Sequence, residues 1–469
     1  MLATQMNLRR ERDSLGDVMV PETALWGAQT QRAVDNYPIS GYRAFPAFID
    51  APVLLKKAAA CANHDAGRLD KVMRDAIVAA CDEILAGGHR EAFVVDVFQA
   101  GAGTSHNMNC NEVIANLANE RLGGKRGVYT PINPNDHVNM AQSTNDVTPS
   151  AIRLAMLALV DPLCAELDAL ADVLAAKAAL WATVPKAART HLQDAVPMTF
   201  GQEIGAWGTM LRDSAARIRC AKPELGQLGI GGTAAGTGLN ADPEYAGRVC
   251  AYLAAWTGQP IVPTKDLFAS MQSAGAFVRA SGEMRTAALE LSKIANDIRL
   301  LVSGPRTGIG ELRIPAVQPG SSIMPGKINP SIAEMVDQVC YQVIGNDTAV
   351  AFGAQAGQLE LNVMMPGMAF ALCFSATILT NATRVFRLRC VLGMEVDAER
   401  ARELLDASPS LVVTALAPHI GYDRAAALVK KALAERRSLL EVGLSENVMP
   451  EADLRRVLDP LPMTRGGVQ

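Results

Sequence analysis

Leucines 163, 167, 170 and 174 recur at steps of four, three and four. On a helix turning every 3.6 residues that spacing lays them along one stripe. Asp161, Glu166, Asp168 and Asp172 take the remaining faces. A long helix with one apolar stripe must bury it against other helices, so this pattern constrains the architecture more than any other. Similar patterns run from Pro197 to Cys220, from Leu267 to Leu301 and from Ser331 to Ala354. Few stretches alternate with period two, so the sequence predicts an all-α fold with a long central helical bundle and little sheet. Aromatic residues are only 5% of the chain against 38 glycines, which favours closely packed helices over an aromatic-rich sandwich.

With 469 residues, the length suggests about three domains. Glycine- and proline-rich breaks fall at Gly123–Asn135, Gly226–Asn240, Gly304–Pro330 and Val391–Asp397. These divide the chain into a mainly helical N-terminal domain (1–142), a central bundle carrying a mobile loop (143–396) and a small helical C-terminal domain (397–469). Asp397 is placed to cap the first helix of the last domain, with Glu399 in its first turn. The stretch Leu361–Thr383 carries no charge for 23 residues, enough to cross a bilayer. It contains Asn362, Pro366, Gly367 and Asn381, and no second such stretch accompanies it, so it reads as a helix buried inside an oligomer.

Lys and Arg number 44 against 48 Asp and Glu, a net charge of −4 with no long run of either sign, which excludes a nucleic-acid binder. Nine cysteines are scattered singly without a CxxC pair, the usage of a reducing cytoplasm. Cys61/His64 and His106/Cys110 have ligand-like spacing, but pairs this short arise by chance, and no metal site is expected. The opening MLATQMNLRRERDSLGD turns charged before any apolar run, so it does not read as a signal peptide.

Five polar or glycine-rich segments interrupt this background. In GAGTSHNMNCNE, small residues precede Thr104 and Ser105, letting N–H groups and hydroxyls approach an anion; a loop leading into an Asx-rich helix start is the bland alternative. In NPNDHVNMAQSTNDVTPS, Ser143, Thr144, Asn145 and Asp146 stand before a long helix, where unsatisfied donors suit a carboxylate. One of them could merely cap the helix, but capping does not use all four. ARTHLQDAVP places Thr190 and His191 between two apolar helices, where a lone histidine is more often structural than catalytic. GQLGIGGTAAGTGLN matches a permissive dinucleotide pattern at Gly229, Gly231 and Ala234, but no strand precedes it, and it reads as a tight helix–helix connection. QPGSSIMPGKINP (318–330) gathers Ser321, Ser322, Lys327 and Asn329 on a structureless loop, with Arg306 and Glu311 upstream. Such a loop inside a helical protein is a functional one.

GSSIMPGKINP closely resembles the GSSxMPxKxN signature of the aspartase/fumarase superfamily. The other segments follow in that family's order: GTSxNMN, STND, TxLQDAxP, then GSS. The likeness extends from ERDSLGDVMVPETALWGAQTQRAVDNYPIS through GNDTAV and GQLELNVM to PHIGYD, almost the whole chain. It implies three mainly helical domains, a homotetramer whose core is built from the bundles of four subunits, and active sites each shared by three subunits. The charge-free Leu361–Thr383 stretch then becomes subunit interface.

The resemblance implies a lyase acting on a small dicarboxylate and releasing fumarate. Ser321 would abstract the proton as an alkoxide, with His191 as a further acid/base candidate. Lys327 and Asn329, helped by Thr190 and His191, would hold the carboxylate remote from that proton. Thr104, Ser143, Thr144 and Ser322 would bind the carboxylate on which charge accumulates, and Asn145 would contact the leaving group. No metal or organic cofactor is implied, because the substrate carries its own electron-withdrawing carboxylate. ERDSLGD, AGAGTS and STND look like the aspartate ammonia-lyase branch, whereas WGAQTQR, RTHLQDA and PHIGYD look like class II fumarases. The first branch is favoured. An inactive scaffold relative is the alternative from another class, and it would have no need of the Ser321, Lys327, Asn329 and His191 set.

Overall fold

The computed structural model describes residues 7–467. The first six residues of the opening segment discussed above lie outside them. Helices dominate, and among the described residues strands occur only as four two-stranded ribbons. The fold is all-α, as the periodicity requires. The leucine stripe lies on a helix of 37 residues, α5 (Thr144–Leu180), and Leu163, Leu167, Leu170 and Leu174 are all completely buried. By contact, the chain forms two compact units.

The first unit runs to Cys164 and includes Ala216–Ala288 and Tyr341–Thr380. It opens on an antiparallel ribbon of β1 (Leu8–Asp13) and β2 (Gly16–Pro21), followed by α1 (Ala28–Asn36). Helices α2 (Pro46–Asp65), α3 (Lys71–Leu85) and α4 (Thr104–Arg121) pack around Ile49, Val53, Ile77, Ile84, Val113 and Ile114. Every residue of α4 from Ser105 to Asn119 is buried, although the segment has no apolar stripe and five of its residues are asparagine. Each buried amide must find partners, and several find them on irregular backbone. Asn109 accepts from the Val94 N–H at 3.0 Å and donates to the Ala92 carbonyl at 2.9 Å. Asn116 donates to the Leu25 carbonyl at 2.7 Å and accepts from Gly127 N–H at 2.8 Å. Asn119 clasps both backbone groups of Ile132, at 2.7 and 2.9 Å. At the same helix, the Glu112 carboxylate accepts the N–H groups of Gly27, Gln29 and Thr30 at 2.8, 3.0 and 3.2 Å, capping α1 from outside. Helix α4 is therefore a polar spine that organises loops.

The second unit comprises Ala165–Ala215, Leu289–Cys340 and Asn381 onward. Its ribbon pairs β3 (Pro185–Thr190) with β4 (Gln193–Thr199), and helix α6 (Phe200–Arg219) follows directly. The helical pattern expected from Pro197 thus starts later, because Pro197–Thr199 finish a strand. The pattern from Leu267 to Leu301 is two helices, Leu267–Gln272 and Gly275–Leu301. They part at Ser273, which is extended and whose hydroxyl accepts the Gly275 N–H. The stretch from Ser331 forms one helix to Gln355. The charge-free segment becomes helical only at Met365, running to Phe386, because Asn362 folds back on the Gly353 and Ala354 carbonyls. It belongs to the one helical stretch long and apolar enough to cross a membrane among the described residues, and 67% of that window is buried in the protein. Asp397 caps helix Ala398–Ala407 through the Arg400 N–H at 3.0 Å, as expected. The C-terminal helices close over Leu416, Leu428, Leu439, Val442 and Leu454.

If the α4 amides organise the loops, replacing Asn119 with leucine strands a buried N–H and a buried carbonyl at Ile132. Each such group costs about 1–3 kcal/mol. Asn119→Leu should therefore melt several degrees below the parent, while Asp172→Asn on the exposed face of α5 should not.

Candidate active site

In the first unit, two helix starts meet. Thr104 opens α4 and is exposed, and Gly103 before it adopts φ +85°. A Cβ at Gly103 would lie 2.8 Å from the Thr148 side chain of α5, so only glycine permits this approach. Asn107, one turn into α4, donates through Nδ2 to Thr144 Oγ1 at 3.2 Å. Thr104, Ser143, Thr144 and Asn145 are thus brought together at two adjacent helix N-termini, where unpaired N–H groups and the helix dipoles favour an anion.

The hydroxyls there are set as donors. Ser143 Oγ accepts the Asn145 N–H at 3.2 Å, and Thr144 Oγ1 accepts from Asn107. With an acceptor position of each oxygen filled, its proton is left to donate elsewhere. Asn145 spends its Nδ2 on the Ala234 carbonyl at 2.8 Å, which leaves Oδ1 as the accepting end of the amide.

Asp146 holds this end of α5 in place. It is fully buried and takes the N–H groups of Ser143, Gly231 and Thr233 at 2.9, 3.0 and 2.9 Å. Burial pushes its carboxyl up to about 6, against the pull of those three donors and of the Lys56 charge. The glycine-rich segment 229–238 is therefore part of the site's frame. Sequence reading took it for a helix–helix connection, and only its density of glycine, threonine and asparagine hinted otherwise.

In the second unit, Thr190 and His191 lie between α5 and α6, as the sequence reading has them, on a β-hairpin that it did not foresee. Thr190 pairs with Gln193, and His191 and Leu192 form the turn with φ +56° and +60°. Two consecutive positive φ values suit Asn-Gly. Here a histidine and a leucine hold them, both exposed, and such departures gather at functional sites. The adjacent Arg189 makes a two-pronged contact to Glu311 at 2.8 and 3.0 Å. Glu311 is completely buried and also faces buried Lys186, which bonds Glu203 at 2.8 and 2.9 Å. Glu311 is thereby a brace between the hairpin and the entrance of the 314–330 loop.

That loop folds on itself. Gly320 N–H donates to the Lys327 carbonyl at 2.8 Å, and Asn329 Nδ2 donates to the Gly320 carbonyl at 2.7 Å. A Cβ on Gly320 would fall 2.4 Å from the Lys327 carbonyl. Ser321 Oγ accepts two backbone N–H groups, from Ile323 at 3.2 Å and Met324 at 3.0 Å. Ser322 and Lys327 are exposed beside it. In this arrangement Asn329 staples the loop with one of its amide hydrogens. Among the described residues, no hydrogen bond joins the loop's Ser321 to Thr190 or His191 of the hairpin.

The paired cysteines and histidines belong to packing. His106 stacks on Phe48 with ring centroids 4.9 Å apart and contacts the Phe48 carbonyl at 3.1 Å; burial pulls its imidazole down to about 4. Burial likewise pushes the Cys110 thiol up to about 12.

Comparison with known proteins identifies the family. A family profile described as Lyase matches residues 16–345, and one described as Fumarase C C-terminus matches 412–465. An aspartate ammonia-lyase of Pseudomonas fluorescens is 47% identical, over 98% of this chain and 97% of its own length. A class II fumarate hydratase of Mycobacterium tuberculosis is 48% identical, over 99% and 97%. Among solved structures, the class II fumarase of Schistosoma mansoni superposes with a TM-score of 0.94 at 36% identity, covering 98% of this chain and 99% of that one. A fumarate lyase:delta crystallin of Brucella melitensis in native form gives 0.90 at 47% identity, covering 97% and 100%. With a matching fold, near-complete coverage and the signature loop in place, the chain belongs to the aspartase/fumarase superfamily of lyases.

Proposed function

We propose that this lyase is an aspartate ammonia-lyase, converting L-aspartate reversibly to fumarate and ammonia. The proton removed lies on the carbon next to a carboxylate. Its departure leaves an enediolate with charge spread over that carboxylate, and the C–N bond electrons then leave with the amine. The observation that carries proton abstraction is the pair of backbone N–H groups on Ser321 Oγ, which favour an ionised oxygen. In this reading Ser321 is the base and His191 a further acid/base group. Thr104, Ser143, Thr144 and Ser322 receive the carboxylate that gains charge, as preorganised donors must. Lys327, Asn329, Thr190 and His191 hold the other carboxylate, and Asn145 Oδ1 accepts from the leaving ammonium. The substrate supplies its own electron-withdrawing group, so neither metal nor organic cofactor enters the scheme. A cytoplasmic location and the division into domains 1–142, 143–396 and 397–469 belong to the same proposal.

Ser321→Ala should lower turnover by about 10²–10⁴-fold, the contribution of a general base, while substrate still binds. Turnover close to the parent's would move the role to His191 or Ser322.

The choice of amine over hydroxyl rests on ERDSLGD, AGAGTS and STND. The second reading, a class II fumarase, draws on RTHLQDA and on fumarate hydratase relatives at 47–48% identity. Following fumarate by its ultraviolet absorbance separates them. Release from L-aspartate should greatly exceed release from L-malate; the opposite order would make the protein a fumarate hydratase. An inactive scaffold would release fumarate from neither.

We further propose a homotetramer whose sites each draw on three subunits. Lys327→Ala and Thr190→Ala should each be nearly inactive, having lost carboxylate contacts worth about 1.5–3 kcal/mol apiece. Unfolded and refolded together, they should regain activity through mixed tetramers carrying some unsubstituted sites. Mixed tetramers with no gain over either parent would place both residues in one chain's site.

A further inference from the structure

Lys56 is completely buried on α2, far from any role in the scheme above. Burying an ammonium costs several kcal/mol even after relaxation. Burial pulls this one down to about 8, with Cys110, Asp146 and Cys81 the titratable groups facing it, so it stays protonated at neutral pH. Its neighbour Asp146 is occupied by three backbone N–H groups. Lys56 instead gives its Nζ–H to a neutral acceptor, Asn139 Oδ1, at 2.7 Å.

That choice sets the direction of a chain of hydrogen bonds. An ammonium has donors and no acceptor, so Asn139 must turn its carbonyl oxygen toward Lys56. The same oxygen then receives Asn107 Nδ2 at 3.3 Å and Asn111 Nδ2 at 3.2 Å. Asn107 is thereby obliged to face this point with its nitrogen, and the other hydrogen of that NH₂ group reaches Thr144 Oγ1 at 3.2 Å. Consistent with a fixed orientation, the buried oxygens of Asn107 and Asn111 take no hydrogen bond. Three carboxamides that could each be reversed are held by the ammonium, which could not, with one further bond of 3.4 Å from Asn139 Nδ2 to the Gln142 carbonyl.

We propose that Lys56 is a positioning residue that acts through Asn139 and Asn107 to aim the Thr144 hydroxyl proton at the bound carboxylate. Without the ammonium, only the 3.4 Å bond from Asn139 Nδ2 to the Gln142 carbonyl opposes reversal of Asn139 and, with it, of Asn107. Asn107 would then offer Thr144 its oxygen, and the Thr144 hydroxyl would turn inward to donate to it. The carboxylate would lose one donor although no residue touching it had changed. This inference rests on the carboxylate-binding role proposed for Thr144.

Succinate, a dicarboxylate with no leaving group, reads out the effect by calorimetric titration, whichever substrate the enzyme turns over. Lys56→Met and Thr144→Val should each weaken succinate by about 10- to 100-fold, the worth of one hydrogen bond to a charged group. The double variant should bind within about threefold of Thr144→Val alone, since both changes remove the same donor. Losses that multiply in the double variant would overturn the proposal, because a merely structural lysine acts independently of Thr144. Binding by Lys56→Met equal to the parent's would overturn it too. Should Lys56→Met fail to fold, Asn139→Ala removes the relay with the lysine in place and must show the same non-additivity with Thr144→Val. A parent that binds no succinate would overturn the carboxylate site itself, and this inference with it.

Discussion

The cluster of helix starts in the first unit depends on one carboxylate. Asp146 is inside the protein, yet it carries no side-chain ion partner in contact; three backbone N–H groups surround it instead. Two of those donors come from the glycine-rich segment 229–238 and one from Ser143. A single group therefore decides where the first turn of α5 ends and where a distant loop lies against it. Neutral donors are sufficient because the carboxyl is only partly discouraged from ionising by its burial. Taking these donors also leaves the Ser143 and Thr144 hydroxyl protons and the Asn145 oxygen out of the frame.

The hairpin and loop of the second unit are held by charge of both signs. Lys186, Glu203, Glu311 and Arg189 form a connected set around a completely buried Glu311. Breaking such a set by removing one member leaves a buried charge uncompensated, which is far more harmful than never having built it. The set is rigid for that reason, and it adjoins two segments with strained or self-bonded backbones, the His191–Leu192 turn and the Gly320–Asn329 loop. Rigid anchors beside strained tips are what a precise contact with a small ligand needs.

Much of this was legible from residues alone. Leu163 to Leu174 announced a bundle helix, and the glycines and prolines around Ser321 marked a loop, because both are local signals. Thr104 and Ser143–Asn145 were legible as helix starts. The hairpin at Thr190 was not, since His191 and Leu192 lack the Asn-Gly chemistry that two-residue turns advertise. The brace between Arg189 and Glu311 and the clasp of Asp146 on Gly231 and Thr233 join residues about 120 and 90 positions apart. No period or motif records a contact of that kind. Helix α4 escaped for a different reason: buried asparagines leave no apolar stripe to find.

That helix has a consequence for the order in which the chain folds. Hydrocarbon leaves water for any apolar surface, even a disordered one, so an amphipathic helix can collapse early onto whatever is present. The amides of α4 have no such incentive. Asn109, Asn116 and Asn119 lose nothing by staying hydrated until Ala92, Leu25, Gly127 and Ile132 occupy their final positions. Burying these amides before Ala92, Leu25, Gly127 and Ile132 arrive would leave them unsatisfied, so the spine and its loops stabilise one another.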